Sequence, residues 1–251
     1  MASTDYYWSR VPGFGKMWFL ILPRNANSSA GGRKLLGSVV HDQEDRLFGP
    51  TGPLGKTYPE PNFLTTPQII LKAIEANRSA LEVPSGEEII LEDLFPPGFK
   101  IEVEKNKALK LDVGNFPGLP ISFSMDYSRM KKVTMEFGAG TRKLIIPTGY
   151  LSRLHDFYKG DDSKVPDSAG VDISKETIVH QILLTKEYSV TFESLEEFKP
   201  QFEADIAEKN KQNAGKIQFK LDQTTRKKVV VQVNDGNEYL IALNDIDWDK
   251  L

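Results

Sequence analysis

Ile121-Ser122-Phe123-Ser124-Met125-Asp126-Tyr127, followed by Lys131-Lys132-Val133-Thr134-Met135-Glu136-Phe137, decides the fold class of this chain. Apolar and polar residues alternate through both pieces. Side chains two apart in a strand share a face, so each piece is a ribbon with one apolar and one wet side. The pattern extends outward in both directions. Upstream it takes in Ile101, Val103, Leu109, Leu111 and Val113, with Glu102, Lys110 and Asp112 between them. Downstream it returns over residues 177–193, where Tyr188, Val190 and Phe192 stand against Lys186, Glu187, Ser189, Thr191 and Glu193. Such ribbons either cover a soluble core or, with the apolar side in lipid, line a water-filled membrane barrel. Alternation alone fits both.

The rest of the composition is that of a globular protein: 251 residues, 39% hydrophobic and 27% charged. No linker divides it, and residues 1–251 are expected to form one domain. There is no cysteine, which excludes disulfides, thiolate metal sites, cysteine nucleophiles and S-palmitoylation, and favours an intracellular location. The apolar run 17–22 lies between Pro12 and Pro23, too short for a spanning helix and without a cleavage site, so no signal peptide is expected. A net charge of −3 speaks against general nucleic-acid binding. Its distribution is uneven: residues 1–40 carry Arg10, Lys16, Arg24, Arg33 and Lys34 against Asp5 alone.

Several local signals place the elements. Residues 17–22, 34–41, 88–91 and 99–104 read as strands. Thr66-Pro67 is expected to open a helix, with Thr66 as cap and Pro67 in the first helical position. Pro147-Thr148 opens a second, with Leu151, Leu154 and Tyr158 on its buried side and Gly160 as its stop. Ser194 and Glu197 have capping-box spacing ahead of Leu195, Phe198, Phe202 and Ile206, and Pro200 either kinks that helix or starts it. Residues 217–221, 228–233 and 238–243 close the chain as a meander. Asn234-Asp235-Gly236-Asn237 is expected to be a tight hairpin between its last two strands.

Enzymatic signatures fail one by one. Gly13-Phe14-Gly15-Lys16 is followed by Met17 where a phosphate loop needs Ser or Thr, and Gly138-Ala139-Gly140 lacks a third glycine at dinucleotide spacing. The latter is expected to bend the strand that ends at Phe137. His41, His155 and His180 have no metal-ligand spacing, and no serine sits in an elbow motif. Asp245, Asp247 and Asp249 begin like a calcium loop whose glutamate never comes. No enzyme activity, metal or cofactor is expected.

The order of these elements resembles the pore-forming domain of gasdermins, most closely the compact gasdermin-like regulators of cell death of fungi. The ribbon over residues 108–137 matches the place of the family's first insertion hairpin. Ile145-Ile146-Pro147-Thr148-Gly149-Tyr150-Leu151-Ser152-Arg153-Leu154 matches the strand-to-helix junction that follows. The segment from Glu176 to Val190, with Lys186-Glu187 ahead of alternating apolar residues, looks like the second hairpin.

The resemblance implies an α+β fold: a twisted antiparallel sheet with peripheral helices and two hairpin regions able to form a transmembrane β-barrel on oligomerisation. It implies a pore-forming executioner of regulated cell death, cytoplasmic when soluble and at the plasma membrane when active. Its partners would be acidic phospholipids (cardiolipin, phosphatidylserine, phosphoinositides) and other copies, including a divergent variant of the same protein, as in heterokaryon incompatibility. No C-terminal inhibitory domain and no lipidated cysteine are expected.

The implied lipid contacts are Arg10, Lys16, Arg33, Lys34, Lys105, Lys107, Arg129, Lys131 and Lys132. The implied membrane-inserting faces are Leu109, Leu111, Val113, Ile121, Phe123, Met125, Val133, Met135 and Phe137 in the first ribbon. In the second they are Ile182, Leu184, Tyr188, Val190 and Phe192. A charge at Val190 or Phe123 is then expected to abolish leakage in a protein that still folds. The alternative is a soluble α+β binding or scaffold module whose ribbons pack on helices.

Overall fold

Three stretches of the chain each run through two antiparallel sheets. The computed structural model describes residues 18–25, 32–40, 66–94, 98–104, 130–161, 164–165 and 171–251. The first half contains β1 (Trp18–Asn25), α1 (Gly32–Leu35), β2 (Val39–Val40), α2 (Ile69–Ala76), β3 (Leu91–Leu94) and β4 (Phe99–Glu104). After it come β5 (Met130–Phe137), β6 (Arg142–Ile145), α3 (Thr148–Tyr158), β7 (Thr177–Thr185) and β8 (Tyr188–Ser194). The chain ends with α4 (Pro200–Gln212), β9 (Ile217–Leu221), β10 (Lys228–Val233) and β11 (Tyr239–Asp247). The fold is α+β.

One sheet has the order β1-β11-β7-β6-β3, with β2 also pairing with β7; the other runs β4-β5-β8-β10-β9. Residues 138–141 lead from β5 into β6, residues 186–187 from β7 into β8, and residues 234–238 from β10 into β11. The middle strands of the first sheet, β11-β7-β6, therefore continue into those of the second, β10-β8-β5, in matching order. The two sheets form one strongly bent surface with three corners. Gly140 and Gly236 turn two of these corners at φ 82° and 83°, a region closed to most side chains.

This topology revises two readings of the sequence. Residues 234–237 form a corner rather than a hairpin, because β10 is flanked by β8 and β9 while β11 is flanked by β7 and β1. The Asp235 carboxylate stabilises that corner, accepting from the Asn237 backbone N–H at 2.9 Å, from Asn237 Nδ2 at 2.7 Å and from the Tyr239 hydroxyl at 2.6 Å. Nor do β7 and β8 pair with each other. The second ribbon is a bent path through both sheets, whereas β4 and β5 of the first ribbon pair directly, Phe99 with Phe137 through Glu104 with Lys132.

Helix boundaries follow backbone satisfaction more than local motif. α2 begins at Ile69, past the expected cap at Thr66, with Gln68 at φ 62° before it. The α1–β2 connection caps it: Ser38 Oγ accepts the Gln68 N–H at 2.7 Å, and the Gly37 carbonyl accepts that of Ile70 at 2.9 Å. Of the expected strand 34–41, residues 34–40 are the end of α1, a turn and the short β2, and residue 41 lies outside the described residues. Residues 88–90 precede β3 rather than belonging to it. Pro200 starts α4, as its missing N–H allows. Ser194 stays in β8, its hydroxyl accepting the Glu196 N–H at 3.2 Å, and Leu195 is left exposed.

Two cores result. The first packs Ile69, Ile70 and Ile74 of α2 and Leu151 and Leu154 of α3 with Ile178, Ile182 and Leu184 of β7, closed by Trp248. The second lies inside the bend. It joins Val133, Met135, Phe137, Tyr188, Val190, Phe192, Val229 and Val231 to Leu183 and Ile241 of the first sheet and to Phe202 and Ile206 of α4.

Candidate functional site

In the five-stranded sheet the alternation seen in the sequence becomes an apolar surface and a polar one that Val230 interrupts. Strand register aligns Met135, Val190, Val231 and Phe219 in one row across β5, β8, β10 and β9, and all four are buried. The neighbouring row runs Lys100, Glu136, Ser189, Gln232 and Gln218 across all five strands. Lys100 and Glu136 pair at 3.1 Å, and Lys132 with Glu102 at 2.8 Å, so the wet face is cross-linked by charge near the β4 edge.

Among the described residues the helix covering the apolar face is α4. Phe198 and Phe202 pack with ring centroids 4.9 Å apart and planes tilted by 33°, and Phe202 and Ile206 enter the core. At its far end Asn210 clamps the helix to β9: its Nδ2 donates to the Phe219 carbonyl at 2.9 Å, and its Oδ1 accepts the Phe219 N–H at 2.8 Å. Phe219 stands on the β9 edge, where its backbone groups face away from β10's ladder; Asn210 supplies the pairing that another strand would give.

The corner between β7 and β8 is a hydrogen-bonded seam. Thr141 Oγ1 donates to the Gly138 carbonyl at 2.9 Å and lies 3.0 Å from Thr185 Oγ1, which donates to the Glu187 carbonyl at 2.7 Å. The Gly138 N–H donates to that same carbonyl at 3.0 Å. Tyr188, next along, is buried with its hydroxyl unpartnered, and burial raises its pKa well above the usual tyrosine value.

A second constellation lies beside the corner at 234–238. The Glu238 side chain, 6% exposed, accepts from Arg33 Nε at 2.6 Å through Oε2 and from Arg142 Nη2 through Oε1. Arg142 Nη1 reaches Glu92 at 3.1 Å. Burial alone would raise the Glu238 carboxyl, but the hydrogen bonds from Arg33 and Arg142 outweigh it and hold the group below the usual carboxylate range. His180 is buried in β7 with Nδ1 unpartnered, and burial lowers its pKa to about 4.

The structure separates the residues singled out in the sequence. Arg10, Lys16, Lys105, Lys107 and Arg129 lie outside the described residues, as do Leu109, Leu111, Val113, Ile121, Phe123 and Met125. Arg33 and Lys34 sit on α1 against the first sheet, while Lys131 and Lys132 open β5 in the second, so these basic residues do not form one patch. Val133, Met135, Phe137, Tyr188, Val190 and Phe192 share the core under α4, whereas Ile182 and Leu184 belong to the other core. The bend at 186–187 divides the second ribbon's apolar residues between two environments.

Sequence reasoning missed Glu238 and Arg142, which carry no local signature. It also missed the double-sided burial of β7, although the adjacent pair Leu183-Leu184 breaks the alternation and could have signalled it. No protein-family model matches the chain, and no curated protein matches it. Among the described residues no helix is long and apolar enough to cross a membrane, which says nothing of crossing by strands.

Proposed function

We propose that this protein is a pore-forming executioner of regulated cell death of the gasdermin type, which binds acidic phospholipids, oligomerises and permeabilises the plasma membrane. Its trigger in this reading is an encounter with a divergent variant of itself. The observation that carries the reading is the two-faced five-stranded sheet: apolar rows on one side, polar rows interrupted at Val230 on the other, and an amphipathic helix over the apolar side. Strands of that kind can meet lipid on one face and water on the other once the helix leaves. Backbone satisfaction then demands that copies close a ring, since an open sheet edge is too costly in hydrocarbon. In this reading the paired strands β4 and β5, with the chain that joins them, are one inserting element, and β8 with the chain around it contributes to the other.

Burial of the apolar rows, complete on β5, β8 and the core positions of β10 and partial at Phe99, Ile217 and Leu221, also suits the second reading, a water-soluble α+β binding or scaffold module. Dye release separates the two. Phosphatidylcholine liposomes with and without cardiolipin or phosphatidylserine are mixed with the protein, alone and together with a divergent variant. Release that requires acidic lipid, with rings visible by electron microscopy, is the expected result. No release under any of these conditions overturns the pore-forming reading.

A further inference from the structure

Glu238 brings together two arginines that are far apart in sequence. Both carboxylate oxygens are used, one for Arg33 and one for Arg142, and the carboxylate is the sheltered partner: its side chain is 6% exposed against 42% for Arg33 and 23% for Arg142. Two guanidinium groups on adjacent oxygens of one anion are the donor arrangement arginine also offers to phosphate oxygens. Without the carboxylate, two guanidinium groups face one point, with Glu92 still offsetting part of the charge of Arg142, and this favours any anion that can take its place.

We propose that Arg33 and Arg142 form a phosphate-binding fork occupied from within by Glu238, so that a phosphate-bearing ligand and this carboxylate compete for the same donors. The competition has a mechanical consequence. Arg33 belongs to α1, and α1 lies so close to β11 that a Cβ at Gly32 would stand 2.4 Å from Leu240 Cβ. Capture of Arg33 by an outside phosphate gives up the ion pair that fastens this end of α1 to the sheet corner. The phosphate can come from a lipid headgroup or from solution. The lipid arm of the proposal rests on the membrane reading above; the solution arm does not.

The test compares wild type, Arg33→Gln, Glu238→Gln and the double variant Arg33→Gln with Glu238→Gln, each checked for folding by circular dichroism. One readout is sedimentation with phosphatidylcholine vesicles with or without phosphatidylserine. The other is the melting temperature in inorganic phosphate against chloride at equal ionic strength. Glu238→Gln is expected to bind phosphatidylserine vesicles about tenfold more tightly than wild type, a gain of about 1.4 kcal/mol, and to melt higher in phosphate. Both gains are expected to vanish in the double variant. Arg33→Gln alone, which keeps Glu238 paired with Arg142, is expected to weaken vesicle binding several-fold, and this holds the proposal to account if Glu238→Gln does not fold.

Equal behaviour of Glu238→Gln and wild type in both readouts overturns the fork, as does a gain that survives loss of Arg33. Should Glu238→Gln not fold, unchanged vesicle binding by Arg33→Gln overturns it. A gain in phosphate without one on vesicles supports the fork and overturns the lipid as its ligand. Vesicle leakage by wild type with no effect of either substitution overturns the fork and leaves the pore-forming reading standing.

Discussion

The side chain of Glu187 lies across Gly138: a Cβ built on that glycine would stand 2.1 Å from Glu187 Cγ, and the Gly138 N–H donates to the Glu187 carbonyl. Two of the three corners that join the sheets are thus packed against one another with no room for a methyl group. Gly138→Ala is expected to destabilise the protein by about 1–3 kcal/mol, as overpacking does. Glu187→Ala should recover most of that loss in the double variant, because it removes the clashing atoms. Denaturant unfolding of the four proteins checks the coupling. Additive losses would mean that the two side chains do not meet.

Phe202 fastens α4 over the apolar rows of the five-stranded sheet. Phe202→Ala leaves a cavity in the core that Phe202 shares with Val190 and Phe192 and is expected to cost about 3–5 kcal/mol. On the pore-forming reading the same substitution lowers the protein concentration needed for dye release, since the cover leaves more easily. Calorimetry reads the first effect and liposome titration the second.

A charge at Val190 is not compatible with folding. This side chain is 0% exposed, between Met135 and Val231 in its row. Burying an unpaired charge there costs several kcal/mol, a large part of the total stability of a domain. Val190→Lys is expected to give little soluble folded protein, as size-exclusion chromatography would show. At Val190 this prediction replaces the sequence-based expectation of a folded, leakage-deficient variant, and Phe123 lies outside the described residues.

His180 makes stability depend on pH. Its folded pKa, lowered to about 4 by burial, lies below the unfolded value near 6.5, so the unfolded chain takes up a proton first as pH falls. Its contribution is fully present above about pH 6.5 and is lost progressively down to about pH 4, amounting to about 3 kcal/mol. His180→Gln removes the titration. Wild type is expected to lose about that much more unfolding free energy than the variant between pH 7 and pH 4, and parallel curves would contradict it.

Much of this fold was legible because strand alternation and helix stripes are local. β4, β9 and β10 have the limits the sequence indicates, Pro200 starts its helix, and Leu151, Leu154 and Tyr158 are buried as their spacing requires. What could not be read were decisions made between distant segments. Asn234-Asp235-Gly236-Asn237 has every local property of a hairpin, and only the claims of β7, β8, β9 and β1 on the flanking strands turn it into a corner. Thr66 lost its capping role to Ser38 from an earlier turn. Glu238 became a buried anion because Arg33 and Arg142 arrive from two other parts of the chain. Charge counting placed Arg33 among free basic residues, since pairing over such separations leaves no periodic trace.

The central claim is that one face of an alternating ribbon meets lipid while the other meets water. The chain has no cysteine, so single cysteines at Ile121, Ser122, Phe123, Ser124 and Met125 can each carry one environment-sensitive fluorophore. With phosphatidylserine vesicles, emission is expected to shift to that of a hydrocarbon environment at 121, 123 and 125 and to stay aqueous at 122 and 124. The same response at both parities, or no vesicle-dependent change at any position, would contradict the account.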